Sequence, residues 1–153
     1  MSTGITVNSE PIPHIAYTRG GLPWFAEIGV LRDNFGGTDG LAMDIINRAT
    51  PWVATAPYKR LFAEGDRLAN ARFLKVVEKA GYELHLVCLI CPARVLEERR
   101  ARRAAKIGKA QNAQWLQSRA TKVARLAVDF GAVTMDGTDL PLSNAIRLKK
   151  LLG

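Results

Sequence analysis

Two acids and an arginine directly follow a short apolar run in the segment Arg60-Leu61-Phe62-Ala63-Glu64-Gly65-Asp66-Arg67-Leu68. A buried parallel strand delivers side chains in this way to the edge of a sheet, where α/β proteins bind their ligands. Carboxylates at such an edge hold Mg²⁺ or accept a proton from an attacking hydroxyl, and an arginine clamps a phosphate. Glu64, Asp66 and Arg67 are therefore candidate active-site residues. The structural alternative is a turn in which Asp66 caps the next helix and pairs with Arg67.

A second candidate is the glycine-rich segment at residues 27–40, which reads EIGVLRDNFGGTDG. Three glycines surround Thr38 and Asp39 at the start of a predicted helix, so the backbone of this loop can approach a ligand closely. Arg32 and Asp33 offer opposite charges to a polar substrate. The alternative is an ordinary capped loop, because glycine turns are common.

The basic residues are concentrated in one part of the chain. Residues 94–125 hold ten Lys or Arg and two Glu, whereas the other residues balance, with twelve basic and twelve acidic side chains. A general nucleic-acid binder is expected to be basic over a wider surface, so this concentration favours a local site for a polyanion. Two basic helices hinged at Gly108 could close over transferred phosphates. The alternative is a solvated helix surface.

Length and composition indicate a single soluble globular domain of 153 residues, 48% of them hydrophobic. No apolar run approaches the roughly 20 residues that span a bilayer, and the N-terminus has no secretory pattern. We therefore expect a cytoplasmic protein without a membrane partner.

Cys88 and Cys91 lie in one predicted strand and would point to opposite faces, so we expect buried, inert thiols rather than a disulfide or a metal site. A zinc site would lack ligands, since only His14 and His85 are available.

Hydrophobic periodicity predicts strands that alternate with helices, which is typical of a parallel sheet wrapped by helices. The helix at residues 41–49 is expected to begin at an N-cap, Thr38, and to be ended by Pro51. The uniformly apolar segment 82–91 is expected to be a strand buried on both faces. The second long helix is expected to bury a stripe of Trp115, Leu116, Val123, Leu126, Ala127 and Phe130. The predicted strands are residues 14–18, 61–63, 82–91 and 132–135, and the predicted helices are residues 41–49, 70–80, 94–106, 112–130 and 140–152.

Taken in order, these segments resemble a P-loop kinase of the nucleoside/nucleotide kinase superfamily, and the likeness covers about residues 12–153. The segments at residues 35–41 and 64–68 also look like small kinase-like proteins of phages and actinobacteria. The resemblance implies a three-layer α/β/α fold with a mostly parallel sheet. It implies one kinase-like domain over residues 1–153, with a helical lid at about residues 94–125.

The resemblance also implies roles for individual residues, with ATP and Mg²⁺ as cofactors. The protein would transfer phosphate to a nucleoside, a nucleotide or a related hydroxyl, and the acceptor would be a small molecule or a nucleic acid. The loop at residues 136–141 looks like the family's adenine loop. The implied catalytic residues are Glu64, Asp66 and Arg67, with Glu64 and Asp66 as possible Mg²⁺ ligands. The implied substrate-binding residues are Arg32, Asp33, Phe35, Gly37, Thr38 and Asp39. The implied lid residues are Arg99, Arg102, Arg103 and Arg119, and the implied adenine-loop residues are Gly137 and Thr138.

The chain departs from the family at the phosphate-binding loop. No string of Gly, four residues, Gly-Lys and Ser or Thr occurs, and Gly108-Lys109-Ala110 lacks both the hydroxyl and the preceding glycine. The strand that precedes this loop is also missing, and we expect residues 1–12 to be poorly ordered or only loosely paired. Three hypotheses remain: a truncated kinase whose gene starts upstream, a non-catalytic relative that binds a nucleotide or polyanion, and a basic nucleic-acid-binding protein.

Overall fold

The computed structural model describes residues 3–31 and 40–152, and the chain divides into two compact units, residues 1–84 and 85–153. Each unit has its own sheet, and together the described residues form six strands and five helices. The predicted α/β class is confirmed. The expectation of a single domain over residues 1–153 stays a prediction.

The first unit is built on a four-stranded mixed sheet in the order β1-β2-β3-β4. The first two ladders are antiparallel, and between β2 and β3 Gly20 and Gly21, with φ of 62° and 81°, turn the chain tightly. Only β3 and β4 pair in parallel within this sheet, since the long connection between them contains a helix. The expected parallel arrangement is therefore limited here to one ladder. The strands are β1 (Thr3–Asn8), β2 (His14–Arg19), β3 (Leu22–Ile28) and β4 (Arg60–Ala63).

Residues 1–12 were expected to be poorly ordered or only loosely paired, and this prediction is wrong for residues 3–8. Strand β1 forms a ladder with β2 over all six of its residues, from Thr3↔Arg19 to Asn8↔His14. It lies at the edge of the sheet, however, and the side chains of Ile5 and Val7 are 65% and 68% exposed. Backbone pairing thus holds the strand in place without burying its apolar side chains, which is why its sequence gave little indication of a strand.

The helix predicted at residues 41–49 lies further along the chain than expected. Helix α1 (Ile46–Ala54) contains Pro51, so the expectation that Pro51 ends it is wrong. An interior proline costs about 3 kcal/mol. Burial of Trp52 and Val53, which are 9% and 0% exposed, offsets this cost at roughly 1.5–3 kcal/mol for each side chain. The predicted N-cap, Thr38, lies outside the described residues.

Helix α2 (Ala71–Lys79) begins where the sequence predicts it. The side chain of Asn70 caps it by accepting hydrogen bonds from the backbone N–H groups of Arg72 and Phe73, at 2.9 and 3.3 Å. Asn70 is therefore the N-cap, and the alternative in which Asp66 caps this helix is wrong. The core of the first unit is formed by Ile12, Ala16, Ala26, Ile28, Leu41, Ile45, Ala49, Trp52, Val53, Leu68, Phe73 and Leu74.

The second unit has a two-stranded parallel sheet whose register runs from Val87↔Val133 to Ile90↔Asp136. Two long helices connect the strands, and Gly108 ends the first of them with a left-handed φ of 69°, as its sequence predicts. Asn112 caps the second helix through a hydrogen bond to the backbone N–H of Trp115 at 2.9 Å. The elements are β5 (Val87–Ile90), α3 (Ala93–Ile107), α4 (Ala113–Asp129), β6 (Val133–Asp136) and α5 (Pro141–Leu152).

Burial in the second unit is lower than the sequence predicts. Strand β5 has only four residues, and Leu89 and Ile90 are 61% and 55% exposed, so the expected burial on both faces is wrong. A strand is buried on both faces only where other elements cover both, and the exposure of Leu89 and Ile90 shows that this is not so for β5. The thiols of Cys88 and Cys91 are half-exposed rather than buried. Within the predicted stripe of α4 only Leu126 is buried.

Among the residues that the structure describes, no helix combines the length and the apolar character that crossing a membrane requires.

Candidate functional site

The acidic segment lies at the carboxyl edge of a parallel ladder. The ladder between β3 and β4 ends at the pair Ile28↔Ala63, and Glu64 is the next residue after β4. On the neighbouring strand, Gly29 follows with a φ of 105°, a conformation that strongly favours glycine. The sheet therefore places the first acid where parallel α/β sheets present their ligand-binding groups.

The surroundings of these residues connect them to the segment that follows the glycine-rich loop. Glu64, Asp66 and Arg67 are all half-buried, and the Oδ2 atom of Asp66 is inaccessible to solvent. The guanidinium of Arg67 contacts the sulfur of Met43. The segment just before α1 thus contacts Arg67. The predicted substrate-binding residues lie outside the described residues: Arg32, Asp33, Phe35, Gly37, Thr38 and Asp39.

The two carboxylates fit the way in which proteins hold Mg²⁺ beside a nucleotide. The described residues contain no group of three or more His, Cys, Asp or Glu side chains that could hold a metal ion. Mg²⁺ nevertheless needs only one or two carboxylates, because it keeps several waters and takes its other ligands from substrate phosphates. Glu64 and Asp66, two residues apart at the end of β4, are a suitable pair for this mode of binding.

A second carboxyl edge occurs in the other unit, where β5 and β6 end at Ile90 and Asp136. The backbone N–H of Gly137 donates to the carbonyl of Ile90 at 2.8 Å, which keeps the predicted adenine loop against the end of β5. A Cβ atom at position 137 would lie 2.5 Å from the sulfur of Cys91 and 3.2 Å from the Ile90 carbonyl oxygen. Close packing therefore requires glycine at this position.

Asp136 organises the first turn of this loop. Its Oδ1 atom accepts hydrogen bonds from both the backbone N–H and the hydroxyl of Thr138, each at 2.7 Å. These two bonds, helped by the charges of Arg147 and Arg99, lower the pKa of the Asp136 carboxyl below its ordinary value of 3.8. Asp136 was not among the predicted site residues, although it ends β6 at a carboxyl edge much as Glu64 follows β4.

We expect Thr138→Val to raise the pKa of Asp136 part of the way back towards 3.8, because the substitution removes the hydroxyl donor and leaves the backbone donor. The stabilisation that this lowered pKa provides is present above the unfolded pKa and is lost as the pH falls through the folded value. Carbon-13 NMR titration of the Asp136 carboxyl measures the shift. Thr134→Val, on the exposed side of β6, is the matched control and should leave the titration unchanged. An unchanged Asp136 titration in Thr138→Val would contradict the assignment.

The predicted lid arginines differ in burial and in contacts, since Arg119 is half-buried and the others are exposed. Arg99 donates to the sulfur of Cys91 at 3.4 Å, so it reaches the same sheet edge as Asp136. Arg119 lies over the ring of Trp115, 5.0 Å from its centroid. Arg102 and Arg103 are exposed on α3. The structure therefore connects one lid residue, Arg99, to the adenine-loop edge.

One family matches most of the chain. Residues 7–144 match the family described as P-loop Nucleotide Kinase3, and this span includes both carboxyl edges and the basic helices. No curated protein and no solved structure matches the chain significantly.

Proposed function

The chain belongs to the P-loop Nucleotide Kinase3 family, and on that premise we propose that it binds a nucleotide and serves the transfer of phosphate from ATP to a nucleoside, a nucleotide or a related hydroxyl. The observation that carries this proposal is the position of Glu64 and Asp66, which follow β4 at the carboxyl edge of a parallel ladder within the matched residues. The likeness to kinase-like proteins of phages and actinobacteria belongs to the same proposal.

In this function each group of residues has a distinct role. Glu64 and Asp66 hold Mg²⁺ or accept the proton of the attacking hydroxyl, and Arg67 binds a phosphate oxygen. Mg²⁺, when bound, supplies positive charge to the phosphates. The loop at residues 32–39 contacts the acceptor. Gly137 and Thr138 line the adenine site, and the lid residues neutralise the transferred phosphate: Arg99, Arg102, Arg103 and Arg119.

A non-catalytic role in nucleotide or polyanion binding is the second candidate. It is favoured by the absence of a Gly-x₄-Gly-Lys-Ser/Thr string from the 153 residues. Such a loop normally supplies the backbone N–H groups, the lysine and the Mg²⁺-binding hydroxyl that cradle the phosphates. Without these groups the arginines and carboxylates can still bind a nucleotide, but they are poorly equipped to stabilise the transition state.

Calorimetric titration with ATP, with and without Mg²⁺, tests the shared binding function. We expect Mg²⁺ to strengthen ATP binding. We expect Glu64→Gln or Asp66→Asn to weaken ATP binding in the presence of Mg²⁺ about tenfold, which corresponds to roughly 1.4 kcal/mol of binding free energy. Glu78→Gln, on the exposed surface of α2, is the matched control. An equal loss of affinity in the control, or an ATP affinity that does not depend on Mg²⁺, would refute the assignment of the two acids.

A further inference from the structure

Three cationic side chains surround one tryptophan at the end of the first unit's sheet that lies opposite Glu64. The guanidinium carbons of Arg19 and Arg60 are 5.2 and 5.8 Å from the ring centroid of Trp24, and the ammonium of Lys59 is 4.9 Å from it. We call these four residues the Trp24 cluster. Arg60 begins β4 and Glu64 follows its end, so a four-residue strand, about 13 Å long, separates the cluster from the acidic edge.

The Trp24 cluster has an excess of positive charge. None of its three cations forms an ion pair with a carboxylate of residues 3–31 or 40–152. Because all three distances are measured from one ring centre, no two of the charged groups lie more than about 11 Å apart. Each pair repels by roughly 0.4 kcal/mol at 10 Å in water, and each exposed cation gains about 0.5–1 kcal/mol from the ring. Three cations therefore lie around one ring without a carboxylate partner in the described part of the chain.

A cavity of about 520 Å³ adjoins this cluster and shares Lys59 with it. Its walls include Pro23, which is next to Trp24 in the chain, and the aromatic residues Tyr58 and Tyr82. The hydroxyl of Tyr82 donates to the carbonyl of Tyr58 at 2.6 Å, and the Tyr58 hydroxyl hydrogen-bonds to His14 at 3.0 Å. Both rings are thus held in position, which keeps aromatic surface beside the cations in an open depression whose walls are partly polar.

We propose that the Trp24 cluster and the adjoining cavity bind a short single strand of nucleic acid, with phosphates on the three cations and a base in the cavity. An aromatic surface beside a row of cations is the usual means of binding single strands without sequence preference. The charged groups lie within about 11 Å of one another, so they can meet neighbouring phosphates of one short strand. A free polyphosphate would satisfy the cations but would leave the aromatic cavity unused. This function does not depend on phosphate transfer.

Fluorescence anisotropy with a labelled oligothymidylate of ten nucleotides, measured over a series of salt concentrations, tests the proposal. The double variant Lys59→Gln/Arg60→Gln should lose about tenfold or more in affinity at low salt. It should also lower the magnitude of the salt slope by about 1.4, because each phosphate contact on a single strand contributes about 0.7. Trp24→Leu should weaken binding without changing the net charge. Lys149→Gln/Lys150→Gln removes the same charge from exposed positions of α5 and should change the affinity less than twofold.

Two results would overturn the proposal. An equal loss of affinity in the α5 control would mean that the oligonucleotide responds only to net charge. Displacement of the oligonucleotide by tripolyphosphate at the same concentration of phosphate groups would mean that the cluster binds free phosphate chains. Circular dichroism of each variant checks that the fold is retained, and the Lys59/Arg60 variant keeps the test valid if Trp24→Leu fails to fold.

Discussion

The purified 153-residue chain is expected to transfer no measurable phosphate from ATP to nucleosides or nucleoside monophosphates. The physical reason is the loss of several preorganised donors at once. Removal of a single donor that stabilises developing charge costs about 10²–10³ in kcat, and an arginine finger alone contributes about 10³–10⁵. A chain without the glycine loop lacks the backbone N–H groups, the lysine and the hydroxyl together, so the remaining carboxylates and arginines cannot compensate.

Transfer of the radiolabelled γ-phosphate to a panel of acceptors measures this directly. ATP-dependent turnover that disappears in Glu64→Ala or Asp66→Ala would contradict the prediction and would favour a complete active site. Turnover that survives both substitutions would point to a contaminating kinase, because the proposed acids would then have no part in it. The binding experiment with ATP and Mg²⁺ is independent of this outcome, so nucleotide binding and catalysis are tested separately.

His14→Ala is expected to destabilise the first unit by about 3–4 kcal/mol. The imidazole is 3% exposed, its Nδ1 donates to the carbonyl of Ile12 at 2.8 Å, and its Nε2 hydrogen-bonds to the Tyr58 hydroxyl at 3.0 Å. Its ring centroid also lies 5.2 Å from that of Trp52. The substitution leaves a buried carbonyl without its partner, at about 1–3 kcal/mol, and opens a cavity in the core.

Urea unfolding followed by tryptophan fluorescence reports this loss, since Trp52 contacts the substituted ring. His85→Ala replaces the other histidine, which is exposed, and should change the stability by no more than about 0.5 kcal/mol. If His14→Ala does not fold, Tyr58→Phe removes only the hydroxyl and should cost about 1 kcal/mol. A loss below about 1 kcal/mol in His14→Ala would show that the hydrogen bonds are not important for stability.

The predictions that held rest on local chemistry. Helix α2 begins within one residue of its predicted start, and Gly108 ends α3 in a left-handed conformation, because helix ends depend on a few adjacent residues. The caps Asn70 and Asn112 were identified only in the structure. Glu64 follows a strand as predicted, since a short apolar run that ends in acids is read from its own residues. The predictions that failed concern packing. Pro51 lies inside α1 and Leu89 is exposed, and both depend on which surfaces other elements cover.

The sequence by itself determined the α/β class, the glycine end of α3 and the position of the acids after β4. Only the tertiary structure decided which side chains meet across large separations in the chain. Arg67 contacts Met43, and His14 hydrogen-bonds to Tyr58. Lys59 and Arg60 lie over the ring of Trp24. Such contacts depend on strand order and register, which place distant residues side by side and which no local pattern encodes. Glu64 was therefore visible from its neighbours in the sequence, whereas the Trp24 cluster required the fold.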